Sequence, residues 1–119
     1  LVLETLIGLG LIALFSVVGW AASAAAEPLI RSGIGLAALG FLVGIPTAIV
    51  YHWRLYRALD RCNRLPTRWW LSPTSHHDLI PPADRRQVLA WGAAGGSGFV
   101  AILLGIGLAT LGLWRLLAP

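Results

Sequence analysis

Three long apolar runs, each free of charged residues, are separated by short polar segments. The runs cover residues 5–26, 32–51 and 87–114. A helix needs about 20 apolar residues to cross a bilayer. The pattern therefore predicts an all-α integral membrane protein with transmembrane helices at about 5–26, 32–52 and 87–115.

The first two predicted helices are separated by a short polar segment that contains Glu27 and Pro28. The residue before a proline avoids helical geometry, so the first helix is expected to end near Ala26. Only a short connection then leads to the second run at Ser32. A connection this short predicts that the two helices form an antiparallel hairpin.

The second apolar run continues into the segment from Tyr51 to Arg64 without a strong helix breaker. This continuity predicts that the second helix extends to about residue 64 as a basic cytoplasmic helix, followed by a cytoplasmic loop at about 65–82. Pro46 lacks an amide hydrogen and is expected to bend the helix. The Thr47 hydroxyl is expected to help satisfy the freed backbone.

Small residues recur every three or four positions in the second and third runs. In lipid, such faces allow helix backbones to approach closely. Glycine is common in all membrane helices, so a single GxxxG pattern is weak evidence. We nevertheless expect these faces to pack against partner subunits; their residues are Gly33, Ala37, Gly40, Gly44, Gly98, Gly105, Ala109 and Gly112.

Composition and charge distribution support membrane insertion and predict its orientation. The chain is 57% hydrophobic and 12% charged, whereas soluble domains are about 25% charged. All nine basic residues are arginines, seven of them between His52 and Arg86. Because positively charged loops stay cytoplasmic, the N-terminus and this loop are predicted inside and the C-terminus outside, most simply in a bacterial inner membrane.

The basic segment carries a row of arginines at helical spacing, followed by two tryptophans suited to the membrane interface. With a net charge of +4, the row favours an anionic membrane surface over nucleic acid. Contact with anionic lipid and docking onto acidic residues of a partner subunit both remain open, and Asp60 is expected to pair with Arg57 or Arg64. The candidate residues are Arg54, Arg57, Arg61, Arg64, Arg68, Trp69 and Trp70.

The histidines offer weaker chemistry. Adjacent His76 and His77 point to opposite sides of an extended loop, and with Asp78 they lack the ligand number of a metal site. No metal is predicted. His52 lies near the membrane boundary and is a candidate haem or pigment ligand, although an interfacial hydrogen bond is the favoured role. The single cysteine, Cys62, excludes an internal disulfide.

No acidic, basic or nucleophilic side chain lies inside a predicted span. Such groups mark transport routes and proton relays, so enzyme, pump and carrier chemistry is disfavoured and no small-molecule substrate is evident. The leading hypothesis is a non-catalytic accessory subunit of a larger membrane complex, respiratory or photosynthetic by analogy, with bound lipid and no predicted cofactor. The alternatives are a component of a transporter or membrane enzyme whose partner carries the active site, and a pigment- or haem-binding subunit.

Overall fold

The computed structural model of the chain describes residues 1–118 and is 88% helical, with no strand in that range. Helix α1 covers Val2–Ser23, α2 covers Ala26–Arg61 and α3 covers Pro82–Leu117. Short 3₁₀ helices at Trp69–Leu71 and Pro73–Leu79 lie between α2 and α3. The three α-helices are long and apolar enough to cross a membrane, which confirms the all-α prediction and its three apolar helices.

The boundary between α1 and α2 differs from the expected one. Only Ala24 and Ala25 separate the helices, and α2 begins at Ala26 rather than near Ser32. Pro28 lies in the first turn of α2, where its missing amide hydrogen is not needed. The acid Glu27 in the same turn is favoured by the helix dipole. The Glu27-Pro28 pair therefore starts the second helix and does not simply end the first.

Pro46 lies within α2, which continues through it. The Thr47 hydroxyl donates to the carbonyl oxygens of Val43 (2.8 Å) and Gly44 (3.0 Å). The carbonyl that loses its usual partner to proline is four residues earlier, at Leu42. The Thr47 hydroxyl thus donates to the two carbonyls that follow Leu42 in sequence. It does not donate to the Leu42 carbonyl, which lacks its usual amide donor because of Pro46.

Contacts divide the chain into two compact units. The terminal unit comprises Leu1–Gly35 and the C-terminal segment that begins at Gly105, and the loop unit comprises Leu36–Leu104. In the terminal unit the start of α2 packs closely against the end of α3. A Cβ atom built on Gly112 would lie 2.8 Å from the Ala26 oxygen and 3.0 Å from the Ile30 nitrogen. A Cβ built on Gly33 would lie closer still to the backbone of Ala109 and Gly105.

The end of α1 in the terminal unit is held by Arg115. Its guanidinium donates to the Ala24 carbonyl and, at 2.9 Å, to the Ala22 carbonyl. The last carbonyls of a helix have no partners within the helix. Cationic donors at that end also complement the helix dipole. Arg115 therefore caps the C-terminal end of α1.

In the loop unit, α2 and α3 run antiparallel with their backbones in close approach. A Cβ on Gly40 would lie 2.7 Å from the Gly98 oxygen and 2.9 Å from the Ile102 nitrogen, and one on Gly44 would lie 3.0 Å from Gly98 Cα. Ala37 is half-buried on the same helix. The small-residue faces of α2 and α3 thus contact each other within the chain, which removes the reason to assign them to partner subunits.

Helix α2 ends at Arg61, slightly before the expected position. Asn63 takes the left-handed backbone conformation, with a φ of 52°. The Arg64 amide donates to the Leu59 carbonyl at 3.0 Å, and the Asn63 amide donates to the Asp60 carbonyl at 3.1 Å. These are the two hydrogen bonds of a Schellman motif, in which asparagine is the usual substitute for glycine. The helix therefore ends through Asn63, ahead of Pro66.

Candidate interaction surfaces

A small hydrophobic core holds the basic end of the loop unit together. Side chains from α2, the loop and α3 meet there, and Leu65, Trp69 and Trp91 pack against its edge. The segment between α2 and α3 is consequently folded onto the helices, where the sequence predicted an irregular loop. The buried residues of this core are Tyr51, Leu55, Ala58, Leu59, Ile80 and Val88.

Because Leu55 and Leu59 face this core, arginines three and four positions apart occupy another face of α2. Three of them line a cleft of about 290 Å³ together with residues from the start of α3. We call this cleft the basic cleft. Its lining residues are Trp53, Arg54, Arg57, Arg61, Asp84, Gln87 and Val88.

Each arginine of the basic cleft has a different set of contacts. Arg61 pairs with Asp84 at 3.0 Å. Arg57 lies over the Trp53 ring, 5.1 Å from its centroid. Arg54 donates through Nη1 to the side-chain oxygen of Gln87. One carboxylate therefore faces three guanidinium groups, and the cleft keeps a formal charge of +2.

Arg54 is the least satisfied of these groups. Its guanidinium also lies 5.9 Å from the centroid of Trp91. Its Nε atom is buried and has no hydrogen-bond acceptor among residues 1–118. A buried donor without a partner is unfavourable, more so on a charged group. The cleft thus carries excess positive charge, and one of the arginines that line it has a buried donor without an acceptor in the described residues.

The remaining residues of the predicted arginine row lie outside the basic cleft. Arg64 donates to the Leu79 carbonyl at 3.3 Å and so helps to hold the loop. Arg68 is exposed just before the first 3₁₀ helix. Asp60, expected to pair with Arg57 or Arg64, has no ion pair within the described residues; Asp84 of α3 takes that role with Arg61.

The two tryptophans separate in the structure. Trp69 is half-buried and packs against Tyr56, with ring centroids 5.6 Å apart, and more distantly against His52. Trp70 is 60% exposed. Only Trp70 is therefore available as the interfacial anchor proposed for both, because Trp69 packs against the chain itself.

The histidines make hydrogen bonds with the chain. His52 Nδ1 donates to the Ala48 carbonyl at 2.8 Å, which leaves Nε2 as the ring's lone-pair nitrogen. A 2.6 Å hydrogen bond joins His77 Nε2 to the Tyr51 hydroxyl and connects the loop to α2. Within residues 1–118, no three His, Cys, Asp or Glu side chains are grouped as metal ligands. The pigment or haem role of His52 stays a prediction.

Helix α1 provides a second surface. Ala21 is its only buried residue, and its most apolar window has no buried residue at all. Gly8 and Gly19 lie about three helical turns apart, on one face roughly opposite Ala21, and neither has an atom within 4 Å of an added Cβ. Small or hydroxylated residues accompany them on this α1 face, which comprises Thr5, Gly8, Ile12, Ser16, Gly19 and Ser23.

The hydroxyl groups on the α1 face are satisfied within the helix. Thr5, Ser16 and Ser23 donate to the carbonyls of Leu1, Ile12 and Gly19, respectively. The face therefore presents a smooth, uncharged surface with no unsatisfied polar side chain. Such a surface suits either lipid or the backbone of another helix.

Comparisons of the chain with protein-family models, with curated proteins and with solved structures find no match.

Proposed function

We propose that the chain is a non-catalytic accessory subunit of a larger membrane complex. The observation that supports this most is the exposure of α1, whose 22 residues include a single buried one. At 1.5 Å per residue the helix is about 33 Å long, which matches the hydrocarbon core of a bilayer. The occupant that we propose for the α1 face is an apolar transmembrane helix of a different subunit.

The structure changes how such a subunit would assemble. The small-residue faces of α2 and α3 already contact each other, so a partner helix would pack against α1 instead. The open positions at Gly8 and Gly19 would let the partner backbone approach closely. Respiratory and photosynthetic assemblies contain many small helical subunits without active sites, and by that analogy our proposal is a bioenergetic complex.

Bulky residues on the α1 face are expected to release the partner. Gly8→Leu and Gly19→Leu place a side chain where we propose a helix contact, while both positions have free space in the chain itself. The chain and its co-eluting membrane subunits would be purified in mild detergent, identified and quantified. We expect each variant to insert normally but to lose a subunit that co-elutes stoichiometrically with the unaltered chain.

Gly10→Leu is the matched control, because Gly10 is equally open but lies on the opposite side of α1. Normal assembly of both Gly8→Leu and Gly19→Leu would mean that the α1 face contacts lipid, and the proposal would then be wrong. Loss of a second copy of this chain, with no other subunit, would show a homo-oligomer instead.

We also propose that the basic loop is cytoplasmic, as the positive-inside rule indicates. A reporter that is active only in the cytoplasm should work when inserted near Ser75 and fail when fused after Pro119. The segment at Ser75 is part of a short exposed 3₁₀ helix, so an insertion there leaves the three long helices intact. The reverse pattern of activity would show the opposite orientation.

A further inference from the structure

We propose that the basic cleft binds the phosphate of one anionic phospholipid headgroup. This inference does not depend on a partner for α1, because every residue involved belongs to the loop unit. It also differs from a general attraction between basic residues and a membrane. It assigns one lipid to one cavity and gives roles to particular arginines.

The charge of the cleft favours a phosphate ligand. Three arginines and one aspartate leave an excess of two positive charges, and the aspartate is already paired with Arg61. The Arg57 guanidinium contacts the Trp53 ring but forms no ion pair in the described residues. Its planar fork is therefore free to make the paired hydrogen bonds that arginine forms with phosphate oxygens.

Arg54 adds a second reason for a ligand. Its Nη1 is engaged by Gln87, while its buried Nε has no acceptor in the described residues. We propose that ligand binding turns the guanidinium so that Nε donates to a phosphate oxygen and is satisfied. The same movement would keep the positive charge near the Trp91 ring, where the cation is also favoured.

The depth of the cleft favours a lipid over a free phosphate ion. The cleft begins at Trp53, two residues after the apolar run of α2, and ends at Val88, the second residue of the uncharged run of α3. The headgroup layer on each side of a bilayer is roughly 5–7 Å thick, and helices rise 1.5 Å per residue. Arg54 therefore lies about 4–5 Å beyond Tyr51 along the helix, within the headgroup layer, and Arg57 lies about 9 Å beyond it, at the outer edge of that layer. Trp53, 53% exposed, lies beside them as interfacial tryptophans do.

The size of the cleft limits what part of the lipid enters it. A volume of about 290 Å³ is at the lower end for ligand cavities, which range from about 300 to 1,000 Å³. That volume suits a phosphate with its attached polar group, and the acyl chains would remain in the surrounding bilayer. The natural ligand class is thus a glycerophospholipid with a net negative headgroup, such as phosphatidylglycerol.

The test uses the full chain in nanodiscs of phosphatidylcholine with a minor fraction of phosphatidylglycerol. Lipids that stay bound after release from the disc are counted by native mass spectrometry. We expect one phosphatidylglycerol per chain, and we expect it to persist at roughly 1 M salt, where the Debye length is about 3 Å and diffuse attraction is screened.

Arg57→Gln is the decisive variant, since Arg57 makes no ion pair whose loss would disturb the fold. Arg68→Gln is its control, because it removes the same charge outside the cleft. At high salt we expect Arg57→Gln to weaken retention at least tenfold and Arg68→Gln to leave it unchanged. Arg57→Lys should weaken it as well, because lysine keeps the charge but not the fork.

Equal effects of Arg57→Gln and Arg68→Gln, or retention of phosphatidylcholine as strong as that of phosphatidylglycerol, would overturn the proposal. Displacement of the retained lipid by added inorganic phosphate would also overturn it and point to free phosphate as the ligand. Loss of a co-purifying acidic subunit from Arg57→Gln, with lipid retention unchanged, would assign the cleft to protein docking instead.

Discussion

Replacing Gly98 with alanine is expected to lower the free energy of unfolding by about 1–3 kcal/mol, the usual cost of overpacking. The added methyl group would lie 2.9 Å from the Gly44 nitrogen and 3.1 Å from the Gly40 oxygen, and closer still to Gly44 Cα. All of these atoms are backbone, so no side chain can rotate away. The two helices must separate to accommodate the methyl group, which weakens their contact along neighbouring turns.

Gly96→Ala is the matched control for this prediction. It lies on the same helix two residues earlier, and an added Cβ there has no atom within 4 Å. Both substitutions change helix propensity in the same direction, by up to about 1 kcal/mol in favour of alanine. Unfolding would be measured in bicelles by titration with a denaturing detergent. If Gly98→Ala is as stable as Gly96→Ala, the close approach of α2 and α3 is wrong.

The sequence predicted the long helices well because membrane spanning depends on a property of whole segments. Twenty apolar residues in succession leave few alternatives to a helix in lipid, since every backbone polar group must be satisfied within the segment. The ends of helices depend instead on single residues. Pro28 is compatible with a stop for α1, but proline is also favoured at a helix start, and Asn63 is one of the residues that can end a helix in the left-handed conformation.

The pairing of the two small-residue faces could also have been predicted. Consecutive membrane spans joined by one loop run antiparallel, and Gly44 opposite Gly98 then sets the register of α2 and α3. Extending that register toward the loop brings Arg54 opposite Val88, close to Gln87. The two glycine faces therefore fit each other within the chain, and they need no partner subunit to explain their small residues.

The contacts of the basic cleft were harder to infer. Asp84 lies in the first turn of α3, where an acid suits the helix dipole without any partner from α2. Its pairing with Arg61 depends on how the loop folds, and that fold depends on the burial of Ile80 and the hydrogen bond between Tyr51 and His77. No helical or strand period marks such contacts, so the row of arginines was visible in the sequence and the cavity was not.

Replacing Ile80 with alanine is expected to unfold the loop locally while the long helices remain. Ile80 is 1% exposed and packs into the small core with residues of α2 and α3. Truncating a buried isoleucine to alanine costs about 2–5 kcal/mol. Because Ile80 is the fully buried residue that the loop contributes to this core, most of that cost should appear as local opening of the loop.

Hydrogen exchange at three loop amides measures this opening directly. The backbone amides of Leu71, Ser75 and Ile80 donate to carbonyls within the loop. In the variant, the amide at position 80 belongs to alanine. A loss of 2 kcal/mol or more should speed their exchange at least tenfold, because about 1.4 kcal/mol corresponds to a factor of ten. Leu79→Ala is the control, as Leu79 is an exposed neighbour. If both variants exchange at the same rate, the loop is not anchored through Ile80. The position of Asp84 and Gln87, which line the basic cleft from the start of α3, must then be fixed by other contacts.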